Sequence, residues 1–149
     1  MSKLSLANGD DHPEAAQKHL VDAQVLLSQR RADGAAYLSG YVVECALKTL
    51  WLHETGVPAG NAMPWGREGH NLNHLSAQVA AFASVAGAKT ARYFKTATRS
   101  VPQDAIATWT PQMRYRPPSI SLGEAQAWCQ VADRVFHETV SEMRLDGML

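Results

Sequence analysis

Cysteine is scarce in this chain: Cys45 and Cys129 are its only two, and no CxxC or Cys/His metal spacing surrounds them. That excludes a disulfide-stapled scaffold, and because both fall inside apolar helical patterns they read as buried thiols in a reducing compartment. An excess of one charge is also missing. Fourteen basic and fourteen acidic side chains give a formal net charge of zero, so any basic surface must come from local clustering. The best apolar stretch is interrupted by Glu44 and Lys48, which leaves no membrane span. Residues 1–11 lack the apolar segment of a signal peptide and read as a short flexible lead, and the chain is expected to be cytoplasmic. Catalytic Ser/His/Asp spacings, glycine-rich phosphate loops and paired catalytic carboxylates are absent, and no segment alternates for long as a strand would.

What remains is helical. Hydrophobic residues make up 46% of the 149 positions, enough for one domain with a real core, placed at 12–145 and followed by a short tail at 146–149. Asp11 can cap a first helix with Pro13 and Glu14 in its opening turn; its stripe is Ala16, Leu20, Ala23 and Leu27, and it is expected to end near Ala32 after Arg30 and Arg31. A second helix, from about Asp33 to a C-cap at Gly56, is the most apolar stretch and must be largely surrounded by others. Gly40 within it would let a neighbouring helix approach closely. A glycine- and proline-rich loop covers 57–69. The third helix is predicted over about 72–85 with Asn71 as cap, and a shorter one over 88–100 with Ala91, Phe94 and Ala97 inward. The segment 101–119, with four prolines, is irregular. Ser121 and Glu124 form a capping box for the last helix, whose stripe is Leu122, Ala125, Cys129, Ala132, Phe136, Val140 and Met143. The fold class is all-α, a four- to five-helix up-and-down bundle.

Glu44 is the most informative polar residue. Helical spacing places it on one face with Tyr37, Tyr41, Lys48 and Trp51, and a carboxylate there is costly unless cations or donors reach it. Lys48 can pair with it at i, i+4. Two readings follow: a solvated strip, or the anchor of a polar cluster reached by a distant cation. The expected cations are Arg114 and Arg116, which flank Tyr115 just ahead of Pro117 and Pro118; guanidinium forks suit a carboxylate or a phosphate, so this segment either pins the last helix or binds a ligand. His70 opens the third helix and joins the same candidate cluster. His70 and His74 form an i, i+4 pair without a third ligand, so no metal and no cofactor is expected. Lys89, Arg92, Lys95 and Arg99, near Tyr93 and Trp109, form a basic strip that would suit a phosphate backbone or simply face solvent.

Several of these segments together resemble one family. Lys18–Ala23, the block Asp33–Lys48 with its Tyr-x3-Tyr-x2-Glu-x3-Lys pattern, Gly69-His70-Asn71-Leu72 and Met113-Arg114-Tyr115-Arg116-Pro117 are similar to small prokaryotic HEPN-domain proteins. The resemblance implies a helical bundle that usually dimerises. It also implies either an RNA-, nucleotide- or partner-binding module of a toxin–antitoxin or defence system, often beside a small nucleotidyltransferase, or a metal-independent ribonuclease toxin. Catalytic relatives use an Arg-x4-6-His motif near the start of a late helix. Here the next histidine after Arg114 and Arg116 is His137, too distant, whereas Arg67 and His74 have six residues between them but lie before and within the third helix. Candidate catalytic residues are therefore Arg67, His70, His74 and Arg114, with enzyme activity left open.

Overall fold

Asp11 starts the first helix: in a computed structural model that describes residues 1–149, its carboxylate accepts the Glu14 amide at 3.3 Å. Helix α1 (His12–Ser28) buries Ala16, Leu20 and Ala23 along the expected stripe. It stops short of Ala32 because Arg30 takes a left-handed φ of 60° and the Arg31 amide turns back to the Leu26 carbonyl at 2.8 Å, closing a tight helix end. Arg31 then becomes the N-cap of α2 (Ala32–Thr55), which ends at Gly56 with φ 83°. A turn this short makes α1 and α2 an antiparallel helical hairpin.

Helix α2 is the axis of the molecule. Every residue from Val42 to Leu52 is buried, with α1 and the last long helix packed on one side and α3 (Leu72–Ala83) on another. Asn71 caps α3 by accepting the His74 amide at 3.1 Å. The single helix expected over 88–100 is two pieces, a 3-10 turn at Lys89–Arg92 and α4 at Thr96–Ser100. The cause is tertiary: Glu54 accepts the Thr90 amide at 2.8 Å, and Glu138 accepts the amides of Ala97 and Thr98 at 3.0 Å, so the chain is capped and restarted twice. The buried face is accordingly Thr90, Tyr93, Phe94 and Thr98, and Ala91 is exposed.

The irregular segment after α4 is three further 3-10 turns, Val101–Gln103, Ala105–Thr108 and Pro111–Tyr115. Asp33 of α2 fixes its far end by accepting the amides of Ser119 and Ile120 at 2.9 and 3.2 Å. The capping box of Ser121 and Glu124 then starts α5 (Leu122–Phe136), which widens into a π-turn at His137–Ser141 and closes with α6 (Glu142–Leu145). The fold is an all-α helical bundle without strands, and no helix is long and apolar enough to cross a membrane.

The two ends of the chain lie against this frame, where a loose lead was expected. Leu6 is buried, the Ser2 amide and hydroxyl donate to Asp11 at 2.6 and 2.8 Å, and Lys3 reaches the Gly147 carbonyl at 2.6 Å. Burial works against the Asp11 carboxylate, but the Ser2 and Glu14 donors hold it below its ordinary value.

Gly40 admits an indole ring and not a neighbouring helix. A Cβ built there would lie 2.2 Å from the Trp109 ring, and Trp109 Nε1 donates to the Tyr37 carbonyl at 2.9 Å. Gly40→Ala is expected to destabilise the fold by about 1–3 kcal/mol, the range for overpacking a filled core. Urea unfolding checks this; an unchanged midpoint with an unchanged slope would refute the packing assigned to Trp109.

Candidate functional site

The polar face of α2 carries Glu44, at 3% exposure, and Lys48, at 5%. Lys48 Nζ donates to Glu44 Oε1 at 2.7 Å and lies 4.7 Å above the Trp65 ring. The other carboxylate oxygen, Oε2, accepts from His70 Nδ1 at 2.8 Å. The distant group that reaches Glu44 is thus His70 from the turn before α3. Arg114 and Arg116, the expected partners, make no ion pair with it. His70 Nδ1 supplies the second hydrogen bond to a buried carboxylate that Lys48 already pairs.

Arg114 serves a different purpose. Together with Arg67, His70, Tyr41, Trp109 and Gln112 it lines a cleft of about 510 Å³ that has no carboxylate in its walls. The hydroxyls of Tyr115 and Tyr37 hold its guanidinium above the ordinary value, and it stacks 4.8 Å from the Tyr115 ring, itself 77% exposed. Arg116 faces away, into a separate groove with Asp33, Pro117 and Trp128. Of the residues expected to cluster, the fold brings Glu44, Lys48 and His70 into contact, sets Arg114 on the adjoining cleft with Tyr115 stacked against it, and sends Arg116 elsewhere.

His74 separates from the site. His70 lies outside α3, before its cap, while His74 sits inside the helix against Trp51 at 6.4 Å, so the two do not share a helix face and Arg67 has His70, not His74, as its neighbour across the cleft. No group of three or more His, Cys, Asp or Glu side chains is placed to hold a metal ion. Three of the four cations of the basic strip are engaged within the chain: Arg92 pairs with Asp146 at 2.8 Å, Lys95 with Glu142 at 2.5 Å, and Arg99 donates to the Phe94 carbonyl at 3.2 Å. Both thiols are free and buried; burial, reinforced by Glu44, pushes Cys45 up to about 12, and burial raises Cys129, so neither is a thiolate nucleophile.

Three site residues escaped the sequence reading. Tyr41 was placed only on the helix face; it bonds the Tyr37 hydroxyl at 3.1 Å, meets Trp109 edge-on at 4.7 Å, and burial followed by that bond raises its phenol above the ordinary value. Trp65 covers Lys48 from the glycine-rich loop. His12 packs edge-on against Trp65 at 5.0 Å with its Nε2 buried and unpartnered. A lone tryptophan in a glycine-rich loop was the available signal for Trp65; nothing local distinguishes His12 from a helix-capping histidine.

The Glu44 pair sets a first expectation. Glu44→Leu alone strands Lys48 in the core and should cost on the order of 3–5 kcal/mol, whereas Glu44→Leu with Lys48→Met should come close to wild type. Equal losses in the single and double variants, by thermal melts, would rule out the coupling. His12 sets a second. Burial, then Lys48, drives its pKa down to about 4 from 6.5, so the folded state keeps the ring neutral while the unfolded chain protonates it. Stability should therefore fall as pH drops from about 6.5 to about 4, by at most roughly 3 kcal/mol for this residue, with half-buried His19 and His53 shifted in the same direction. Melting of His12→Phe across that window should show a shallower slope than wild type; parallel slopes would contradict the assignment.

Comparisons with protein-family models, with curated proteins and with solved structures each found no match to this chain.

Proposed function

We propose that the chain is a HEPN-type helical module that binds single-stranded RNA or a nucleotide through its phosphates. The observation that carries this reading is the convergence of Arg67, His70 and Arg114 on one cleft whose walls contain no carboxylate. Guanidinium groups without an acidic partner keep their paired donors for a planar anion such as phosphate. The exposed Tyr115 ring beside Arg114 suits an unstacked base, as single-strand binders require. The resemblance adds the context: a homodimer in a toxin–antitoxin or defence system, with a small nucleotidyltransferase as candidate partner.

A second reading, a metal-independent ribonuclease, is favoured by the contact between Glu44 and His70. The carboxylate takes the Nδ1 proton's hydrogen bond, which fixes the tautomer and leaves Nε2 as the free ring nitrogen of a side chain 58% exposed. In that role Nε2 takes the proton of a ribose 2′-hydroxyl, and O2′ attacks the adjacent phosphorus while Arg67 and Arg114 stabilise the charge on the phosphorane. The bond to O5′ then breaks, O5′ takes a proton from solvent, and the products are a 2′,3′-cyclic phosphate and a 5′-hydroxyl.

Fluorescence anisotropy with a labelled single-stranded RNA at low salt tests the first reading. Arg67→Ala and Arg114→Ala should each weaken binding about tenfold, and each should reduce the dependence of log Kd on log salt by about 0.7. No binding by the wild type would overturn it. Incubation with total RNA in EDTA tests the second: cleavage lost in His70→Gln, which keeps a donor for Glu44, and retained in His74→Ala supports the enzyme, and intact RNA rejects it.

A further inference from the structure

His70 has two unlike edges. Its Nδ1 is turned inward onto the Oε2 of buried Glu44 at 2.8 Å. Its other edge looks outward: the side chain is 58% exposed and lines both the cleft of Arg67 and Arg114 and a smaller one, of about 290 Å³, beside Lys48 and Trp65. An ionised carboxylate only accepts, so Nδ1 carries the proton, and in the neutral ring Nε2 keeps its lone pair for whatever enters from solvent. No other histidine combines these features. His137 is as exposed, at 62%, but its Nε2 faces Asp133 at 3.6 Å, too far for a hydrogen bond to hold the ring in one tautomer. His74 packs against Trp51, and the Nε2 of His12 is closed to solvent.

We propose that His70 Nε2 is a phosphoryl acceptor, a site of covalent phosphorylation by a small high-energy donor of the phosphoramidate class. The inference rests on the reading that the cleft seats a phosphate, and it adds a covalent step that neither function above contains. Nε2 gives its lone pair to the phosphorus of the donor and a P–N bond to the ring forms. The donor's own P–N bond breaks, its electron pair goes to the departing nitrogen, and ammonia leaves with the hydrogens it already carried. The ring gains a positive charge as the bond forms, and Glu44, which already accepts from Nδ1, faces that charge at hydrogen-bond distance. Lys48 fixes the carboxylate's orientation through its other oxygen. Phosphoryl transfer asks little of a protein beyond positioning and stabilisation of charge on the three transferred oxygens. Arg67 and Arg114 are the cations available to those oxygens, in a cleft where no carboxylate opposes them.

Incubation of the full chain with phosphoramidate, with the modified residues located by mass spectrometry at alkaline pH, tests the assignment. His70 should be phosphorylated about tenfold faster than His137, the least that one charge-assisted hydrogen bond to the developing imidazolium supplies. Phosphorus–nitrogen coupling in isotopically labelled protein should place the group on Nε2. Arg67→Ala and Arg114→Ala, both at exposed positions, should each slow His70 about threefold and leave the rate at His137 unchanged, a split that a general loss of structure would not produce. His70→Gln should remove the fast site. Equal rates at the two histidines, a group on Nδ1, or an unchanged His70 rate in both arginine variants overturns the acceptor. Inorganic phosphate separates that failure from failure of the cleft. If phosphate shifts the His70 ring resonances while phosphorylation stays unselective, the acceptor falls and the phosphate-binding reading stands; if neither effect is seen, both fall.

Discussion

A carboxylate in the middle of the most apolar helix is the constraint around which the rest of the molecule is arranged. Isolated, Glu44 would be forced to lose its charge or unfold its surroundings. Lys48 answers half of the problem from the same helix, and a partner on the same helix fixes nothing but rotamers. His70 answers the other half from a different element, and that contact ties the turn ahead of α3 to the centre of α2. The indole of Trp65 covers the ammonium from above, so the loop between α2 and α3 is held at two points, one polar and one aromatic. Those two attachments give Arg67, which lies between Trp65 and His70 in sequence, a defined place on the cleft.

A comparable logic fixes the long irregular segment. Its 3-10 turns have poor hydrogen-bond geometry and little intrinsic stability. They persist because acids from other elements supply caps: Glu54 of α2 before α4, Glu138 of the π-turn at α4, and Asp33 of α2 just ahead of α5. Between those ties Trp109 enters the gap opposite Gly40 and meets Tyr41 edge-on, a contact that brings the following turn, with Arg114 in it, to the cleft. The cleft is therefore walled by two non-helical segments, each anchored to the same face of α2.

The parts legible in the sequence are those whose causes are local. Asp11, Asn71 and the Ser121–Glu124 box start helices where they are read to, because a cap needs only a side chain and an amide three residues on. The Glu44–Lys48 pair was legible for the same reason. The identity of the third partner was not. Carboxylate chemistry favours a guanidinium in general, but the choice between Arg114 and His70 is made by the path of two loops, which no spacing encodes. The break between residues 92 and 96 was hidden likewise, since its cause is a pair of glutamates, one on α2 and one in the π-turn after α5. The ion pairs of the basic strip were hidden for a related reason: Arg92 and Lys95 meet Asp146 and Glu142, about fifty residues away.

That neutralisation bears on how the cleft would work. A chain with equal numbers of acids and bases has no net field to gather a polyanion from a distance. Lysines and arginines that find carboxylates on the surface remove their own contribution within one Debye length. Neither Arg67 nor Arg114 has such a partner, and the concave surface they line has aromatic walls and no carboxylate. On the proposed reading, a phosphate would meet those two guanidiniums only after close approach, so its fit to the cleft would count for more than long-range attraction.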